Sequence, residues 1–477
     1  MNQKYRLSPS IIASYFKHRC DRQYRWDSVE QRDRGRTGIG WNVPQSPRFH
    51  SRPGIALLMS AGDAFEVERL EQLQRDYGPD QVYHMGFDRD EHGRRTVRPL
   101  PLPDLAAVLR RPSPPRFAAQ IFVDLEETPD HALHFLARFG LDPALVRVGT
   151  ARPDLLEIIP TAGGPSRLRV WDFKASQAAR HEHFIQVAFY TFLLEEALHA
   201  VGLDDAYAVD TEWGVIYARG GPDAFELPPY RLAIDEFLRF RATPLLLTPA
   251  TEAHYHVNLG CPMCQYNDSC RAEADAGRDL SRVAYMTSES KRRLVRAGFR
   301  THRELAQLAE DEPRWEQLRA AGHDLSVNLG RYVAVSQALD DGRPRPLHGL
   351  SLIVPAWESV RVILSAEQDP VTNTCFALGL KTIEWDSGET ADGRPPTAAG
   401  DPSSGGQPTA VGRRPAGIEH VFLLEDPLTT PDAEARLLLA FLRELNQLLL
   451  RVDAENAALA AELDEQETCL LYTSRCV

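Results

Sequence analysis

Apolar positions recur at helical spacing through ALLMSAGDAFEVERLEQLQRDYG and predict a helix closed by Gly78. A short helix is expected earlier, over LSPSIIASYFKHRC, with Ser8 or Ser10 as its cap, followed by a polar Arg- and Gly-rich loop to about residue 54. Residues 86–116 are rich in proline and charge and are expected as loops. AAQIFVDL reads as a strand and HALHFLARFG as a short helix. RVGTARPDLLEIIP, the turn TAGGPS and RLRVWDFKAS then make a strand hairpin. An amphipathic helix through HFIQVAFYTFLLEEALHAVG and a strand at TEWGVIYARG complete a mixed α/β core.

After Cys270 the pattern changes. SESKRRLVRAGFRTHRELAQLAED predicts two short helices around a Gly-Phe turn, in the manner of a helix-hairpin-helix. Strands return in LHGLSLIVPA, VRVILSAE and CFALGLKTIEW. A Gly-, Pro-, Ser- and Thr-rich insertion occupies 387–417, and HVFLLED and PDAEARLLLAFLRELNQLLL add a strand and a helix. ETCLLYTSRCV reads as a truncated or non-native tail, which makes Cys469 and Cys476 poor ligand candidates. The expected units are 1–280, 281–345, 346–465 and the tail 466–477.

The chain of 477 residues is too long for one ordinary core. Its 43% hydrophobic and 25% charged residues match a soluble globular protein, and no apolar run suits a membrane span. Without an apolar leader it reads as cytoplasmic. The net charge of −13 does not exclude a nucleic-acid partner, because binding depends on local patches. Basic residues gather at Lys17, Arg19, Arg22 and Arg25, at Arg32, Arg34 and Arg36, and at Lys291, Arg292 and Arg293.

Two constellations carry chemistry. Asp172 and Lys174 stand two apart on a strand and so share a face, and hairpin pairing brings Asp154 beside them. Glu66, on the preceding helix, offers a third carboxylate. Carboxylate oxygens suit Mg²⁺ or Mn²⁺, and an ammonium can orient a water or stabilise a phosphorane, as phosphodiester hydrolysis requires. Gln186 and Tyr190 share a helical face as candidate catalytic residues, bonding substrate phosphate or a neighbour of the lysine; the plainer alternative is that Tyr190, among apolar neighbours, is core.

The second constellation is CPMCQYNDSC, with Cys261, Cys264 and Cys270, to which Cys20 can add a fourth thiolate. Four thiolates suit a 4Fe–4S cluster or structural zinc, and the one-plus-three arrangement favours iron–sulphur. Zinc with His254 or His256 as a ligand is the alternative. Cys375 reads as an ordinary buried thiol.

Together, S-x3-S-Y-F-x3-C at Ser10–Cys20, G-x3-E at Gly62–Glu66, Asp154, D-F-K at 172–174, Q-x3-Y at Gln186–Tyr190 and the three clustered cysteines resemble the iron–sulphur RecB-like nucleases of the PD-(D/E)XK superfamily. AddB-type subunits, CRISPR-adaptation exonucleases and replication nuclease-helicases share that plan. The resemblance covers residues 1 to about 275 and implies a restriction-endonuclease-like core. It further implies DNA as substrate, single-stranded or frayed ends, exonuclease action, and a role in repair, recombination or mobile-element defence. Many relatives carry His where Glu66 stands. The remainder resembles a helix-hairpin-helix followed by a partial or degenerate RNase H-like domain, in which Ser365 replaces the first acid of a D-x-E and Glu367 retains the second. A helicase, as partner or further region, is implied too. The alternatives are a non-catalytic DNA-binding scaffold for a helicase, and a zinc-stabilised RNA-processing factor.

Overall fold

The architecture comes from a computed structural model that describes residues 3–36, 38–40, 42–44, 53–89, 93, 95–310, 312–343, 360–368, 375–384, 416–423 and 431–462. The chain forms two compact units, Met1–Arg345 and Pro346–Val477.

The first unit opens with a strand, β1 (Tyr5–Leu7), ahead of helix α1 (Pro9–His18). Ser8 holds the N-cap position, but its hydroxyl pairs with Ser10 Oγ (3.1 Å) instead of a backbone N–H. The helix expected to reach Cys20 stops earlier, because Arg19 turns left-handed (φ 50°) and Cys20 instead caps α2 (Asp21–Asp27). Helix α3 (Pro53–Tyr77) ends at Gly78, whose φ of 93° a side chain would resist. Strand β2 (Val82–Tyr83) comes next.

Residues 86–116 are not the expected loops. They hold a hairpin of β3 (Phe87–Arg89) and β4 (Arg95–Val97), then β5 (Leu100–Pro101) and α4 (Leu102–Leu109). The prolines mark a helix start here, where a missing N–H leaves no bond unmade. Leu102, Leu105, Ala106, Val108 and Leu109 supply the apolar face of α4, which is buried.

Next come β6 (Phe117–Ala119), β7 (Ile121–Phe122), α5 (Pro129–Arg138), β8 (Val146–Val148), β9 (Leu155–Ile159) and β10 (Ser166–Phe173). After them run α6 (His181–Ala200), β11 (Tyr207–Val209), β12 (Trp213–Ala218) and β13 (Gly221–Glu226). Seven of these strands make one mixed sheet in the order β13-β12-β10-β9-β6-β2, with β11 also on β10. β9 and β10 are antiparallel across the Gly163 turn (φ 77°), whereas β10 and β12 run parallel because α6 crosses between them.

Helices cover both faces of this sheet. Alternate positions Leu156, Leu168, Val170 and Ile216 pack with α6, while Phe117, Ala119, Leu155 and Phe173 pack with Phe65, Leu70 and Leu73 of α3. The unit is therefore α/β with a mixed sheet between helical layers. α6 is apolar nearly all round rather than amphipathic, because α1, α5 and α7 (Pro228–Phe237) cover the side away from the sheet.

The unit continues through α8 (Thr243–Leu247) and α9 (Asn267–Ala276). Helices α10 (Ser288–Arg296) and α11 (His302–Ala306) flank Gly298 and Phe299. With α12 (Pro313–Ala320) and α13 (His323–Asp341) they enclose a separate core around Leu294, Phe299, Leu305, Leu325 and Tyr332.

In the second unit β14 (Val360–Gln368), β15 (Cys375–Glu384) and β16 (Ala416–Leu423) form an antiparallel sheet in that order. Helix α14 (Pro431–Glu462) buries Leu437, Phe441 and Leu448 with Cys375, Leu378 and Leu380. Ser365 and Glu367 are exposed on β14. The strand expected at 347–356, the tail 466–477 and the insertion expected at 387–417, save Ala416 and Gly417 at the start of β16, lie outside the described residues. Among the described residues no helix is long and apolar enough to cross a membrane.

Candidate functional site

The β9–β10 register assembles the first candidate site. Trp171 pairs with Leu155, so the next residue, Asp172, comes opposite Asp154. Asp154 itself lies one residue before β9, and Lys174 one residue after β10, where its N–H still bonds Tyr217 O (3.0 Å). Strand alternation puts Asp154, Asp172 and Lys174 on the side of the sheet that α6 covers. Asp154 Oδ2 accepts the Phe173 N–H (2.6 Å), and Lys174 Nζ is ion-paired with Asp172 Oδ2.

Glu66 arrives from α3 through a residue that no motif had singled out. Gln120 Nε2 donates to Glu66 Oε2 (2.9 Å) and to Asp154 Oδ1 (3.2 Å), bridging the two carboxylates. Glu66, Asp154, Asp172 and Lys174 thus meet from three distant stretches of chain. Gln186 Nε2 donates to the Tyr190 hydroxyl (2.6 Å), and Tyr190 is buried.

Three acids against one ammonium in a buried setting perturb one another. Asp154 rises well above the ordinary carboxylate range, first from burial and then from the charges of Asp172 and Glu66. Glu66 rises from 4.5 to about 7, again chiefly by burial; Lys174 opposes the rise, and Asp172 and Asp63 add to it. Burial alone lowers the Lys174 ammonium, but Asp172, Asp154 and Glu66 outweigh it and the result is raised. The Tyr190 hydroxyl is pushed well up by burial and by the charges of Asp172 and Asp154.

The second candidate site is a cavity lined by all four cysteines, Cys20, Cys261, Cys264 and Cys270, with Trp26, His256 and Tyr266 among its other walls. Cys20 reaches it as the cap of α2, its Sγ accepting the Gln23 N–H (3.5 Å). Cys261 and Cys264 bracket one tight turn closed by Cys264 N–H to Cys261 O (2.8 Å), and Cys270 projects from α9. Burial pushes the Cys20 and Cys264 thiols up to about 12 and raises Cys270. Charge on Cys270 or Cys261 raises Cys20 further, which identifies the sulphurs as electrostatic neighbours. Of the two alternative ligands, His256 lines the cavity, while His254 is outside its lining and pairs its Nε2 with Ser288 Oγ (3.0 Å).

Several residues of the basic clusters are occupied internally. Arg22, 2% exposed, forks onto Glu273 (2.7 and 3.0 Å) and lies 3.7 Å from the Tyr255 ring centre. Lys291 is buried on Asp279 (2.6 Å) and Tyr255 O (2.7 Å), Arg292 holds Asp21 (2.8 Å), and Lys17 pairs with Glu182 (3.0 Å). The Arg22 and Arg292 bonds fasten α2 to α9 and to α10.

Among the described residues, no three His, Cys, Asp or Glu side chains are gathered as they stand around one cation. At the carboxylates, the Gln120 amide stands between Glu66 and Asp154 while Lys174 holds Asp172. The donor sets nevertheless fit: hard oxygens for Mg²⁺ or Mn²⁺, and sulphurs for iron or zinc. No protein-family model matches this chain, and comparisons with curated proteins and with solved structures return no match.

Proposed function

We propose that the chain is a metal-dependent deoxyribonuclease of the PD-(D/E)XK type, acting on single-stranded or frayed DNA and clasped by a 4Fe–4S cluster. The observation that carries this reading is the convergence of Glu66, Asp154, Asp172 and Lys174 beside Tyr190. Asp154 and Asp172 are buried and Glu66 half-buried, and carboxylates so placed are rare unless paired, protonated or bound to a cation.

Glu66, Asp154 and Asp172 are the residues that would hold Mg²⁺ or Mn²⁺, which when bound supplies an acidified water and neutralises phosphate charge. Lys174, kept protonated by its acidic surroundings, brings positive charge to the phosphoryl oxygens and does not serve as a base. Tyr190 retains its proton, and because its oxygen accepts from Gln186 that proton is free to be donated toward substrate or carboxylate. Cys20, Cys261, Cys264 and Cys270 would hold the cluster, tying the cap of α2 to the cysteine-rich segment.

A zinc ion on cysteines and His256 is the second reading, favoured by the place of His256 in the cavity wall. A non-catalytic scaffold draws less support, since Arg22, Lys291 and Arg292 are committed to internal acids. The reading is tested with anaerobically purified protein, iron and zinc assays, and single-stranded DNA labelled at either end, beside Asp172→Asn. It predicts iron in the protein and Mn²⁺-dependent cleavage that chelator and the substitution both abolish. Intact DNA after incubation with folded, iron-loaded protein contradicts it.

A further inference from the structure

Gln120 is the residue at the carboxylates that the nuclease motifs leave unexplained. It is the single residue between β6 and β7, and its backbone is left-handed (φ 54°), a conformation few side chains other than Asn or Asp adopt readily. Two short bonds hold this break: the Gln120 N–H donates to Asp154 O (2.7 Å), and Gln120 O accepts the Leu100 N–H (2.7 Å). The kink sends the side chain to Glu66 and Asp154, where one amide nitrogen serves both carboxylates at 2.9 and 3.2 Å. Strained backbone and a bridging amide are independent features that lead to the same place.

The chemistry of that bridge is specific. Two carboxylates attract a cation between them, and the two partly positive hydrogens of an amide are a neutral stand-in for it. A divalent ion taking oxygens from both Glu66 and Asp154 must displace those hydrogens. We propose that Gln120 is a positioning residue that holds the carboxylates facing each other without metal and gives up its place to the cation, so that it sets cation affinity. This rests on the nuclease reading above. The amide then competes with the metal, and removing it strengthens binding while weakening the metal-free fold.

The test compares the full-length wild type with Gln120→Met, which keeps the length without the donors. Gln120→Asn is the second variant: it suits the left-handed backbone but reaches less far, and it stands in if Gln120→Met does not fold. Asp154→Asn marks the site. Mn²⁺ affinity is read by titration with electron paramagnetic resonance, and melting temperature is read with and without Mn²⁺. Losing a donor bonded to charged acceptors is expected to tighten Mn²⁺ binding by about tenfold, with a lower metal-free melting point and a larger rise on adding Mn²⁺. Unchanged affinity in a wild type that binds Mn²⁺ through Asp154 overturns the role of Gln120 alone. Weaker binding in the variants makes the amide a ligand and also overturns the exchange. A wild type that binds no Mn²⁺, or binds it equally well as Asp154→Asn, overturns the nuclease reading along with this one.

Discussion

Replacing Glu66 with Gln isolates what the buried carboxylates do to the fold when no metal compensates them. Glu66 is raised from 4.5 to about 7, mainly by burial. The folded state thus holds this proton more tightly than the unfolded chain, and stability falls as pH climbs between those values, with no further loss above them. At about 1.4 kcal/mol for each pH unit the loss reaches roughly 3 kcal/mol. The Gln carboxamide keeps an oxygen for the Gln120 amide but never ionises. Without metal, Glu66→Gln is therefore expected to match wild type near pH 4.5 and to exceed it by roughly 3 kcal/mol at pH 8, on the order of 5 °C in melting temperature. Thermal unfolding in chelator across that range gives the comparison, and the difference between the two proteins cancels titrating groups away from this cluster, leaving Glu66 and its coupled neighbours Asp154 and Lys174. Saturating Mn²⁺ should reverse the order, since the variant lacks the carboxylate charge that favours a divalent cation. A difference that stays flat with pH, or a wild type more stable at pH 8 without metal, refutes the reasoning.

Other perturbations separate the two sites. Cys20→Ser should lose iron and its visible absorbance and melt lower, whereas Cys375→Ser, in the second unit, should keep its iron; equal iron in both contradicts the clasp. Arg22→Ala strips Glu273 and Tyr255 of a guanidinium that is 2% exposed, and is expected to lose about 3 kcal/mol in urea unfolding; a loss below about 0.5 kcal/mol contradicts its fastening role. Tyr190→Phe removes one hydroxyl from beside Asp172 and Asp154, and should slow cleavage about five- to tenfold at unchanged DNA affinity; an unchanged rate assigns Tyr190 to packing alone.

Local rules made much of this fold legible. Apolar spacing and Gly78 marked α3, and the Gly163 turn marked the β9–β10 hairpin, from which the meeting of Asp154, Asp172 and Lys174 results by pairing alone. The features that escaped depend on contacts distant in sequence. Gln120 carries no motif, and its role arises from a left-handed break between two short strands, of which AAQIF gives only a faint sign. The prolines at 101 and 103 read as loop signals because their tolerance in a first helical turn depends on the apolar residues after them finding a core to pack into. The sequence left Lys291 and Arg292 open to either a partner or solvent, because Asp279 and Asp21, which neutralise them, reach them only through the fold.

The central claim is that Lys174, among Glu66, Asp154 and Asp172, serves phosphodiester hydrolysis. Its most direct test is degradation of labelled single-stranded DNA with Mn²⁺ by anaerobically purified wild type and Lys174→Ala, with DNA binding measured on the same samples. The account predicts cleavage by wild type only, with binding retained by both. Equal cleavage by the two proteins, or none by a folded and cluster-loaded wild type, contradicts it.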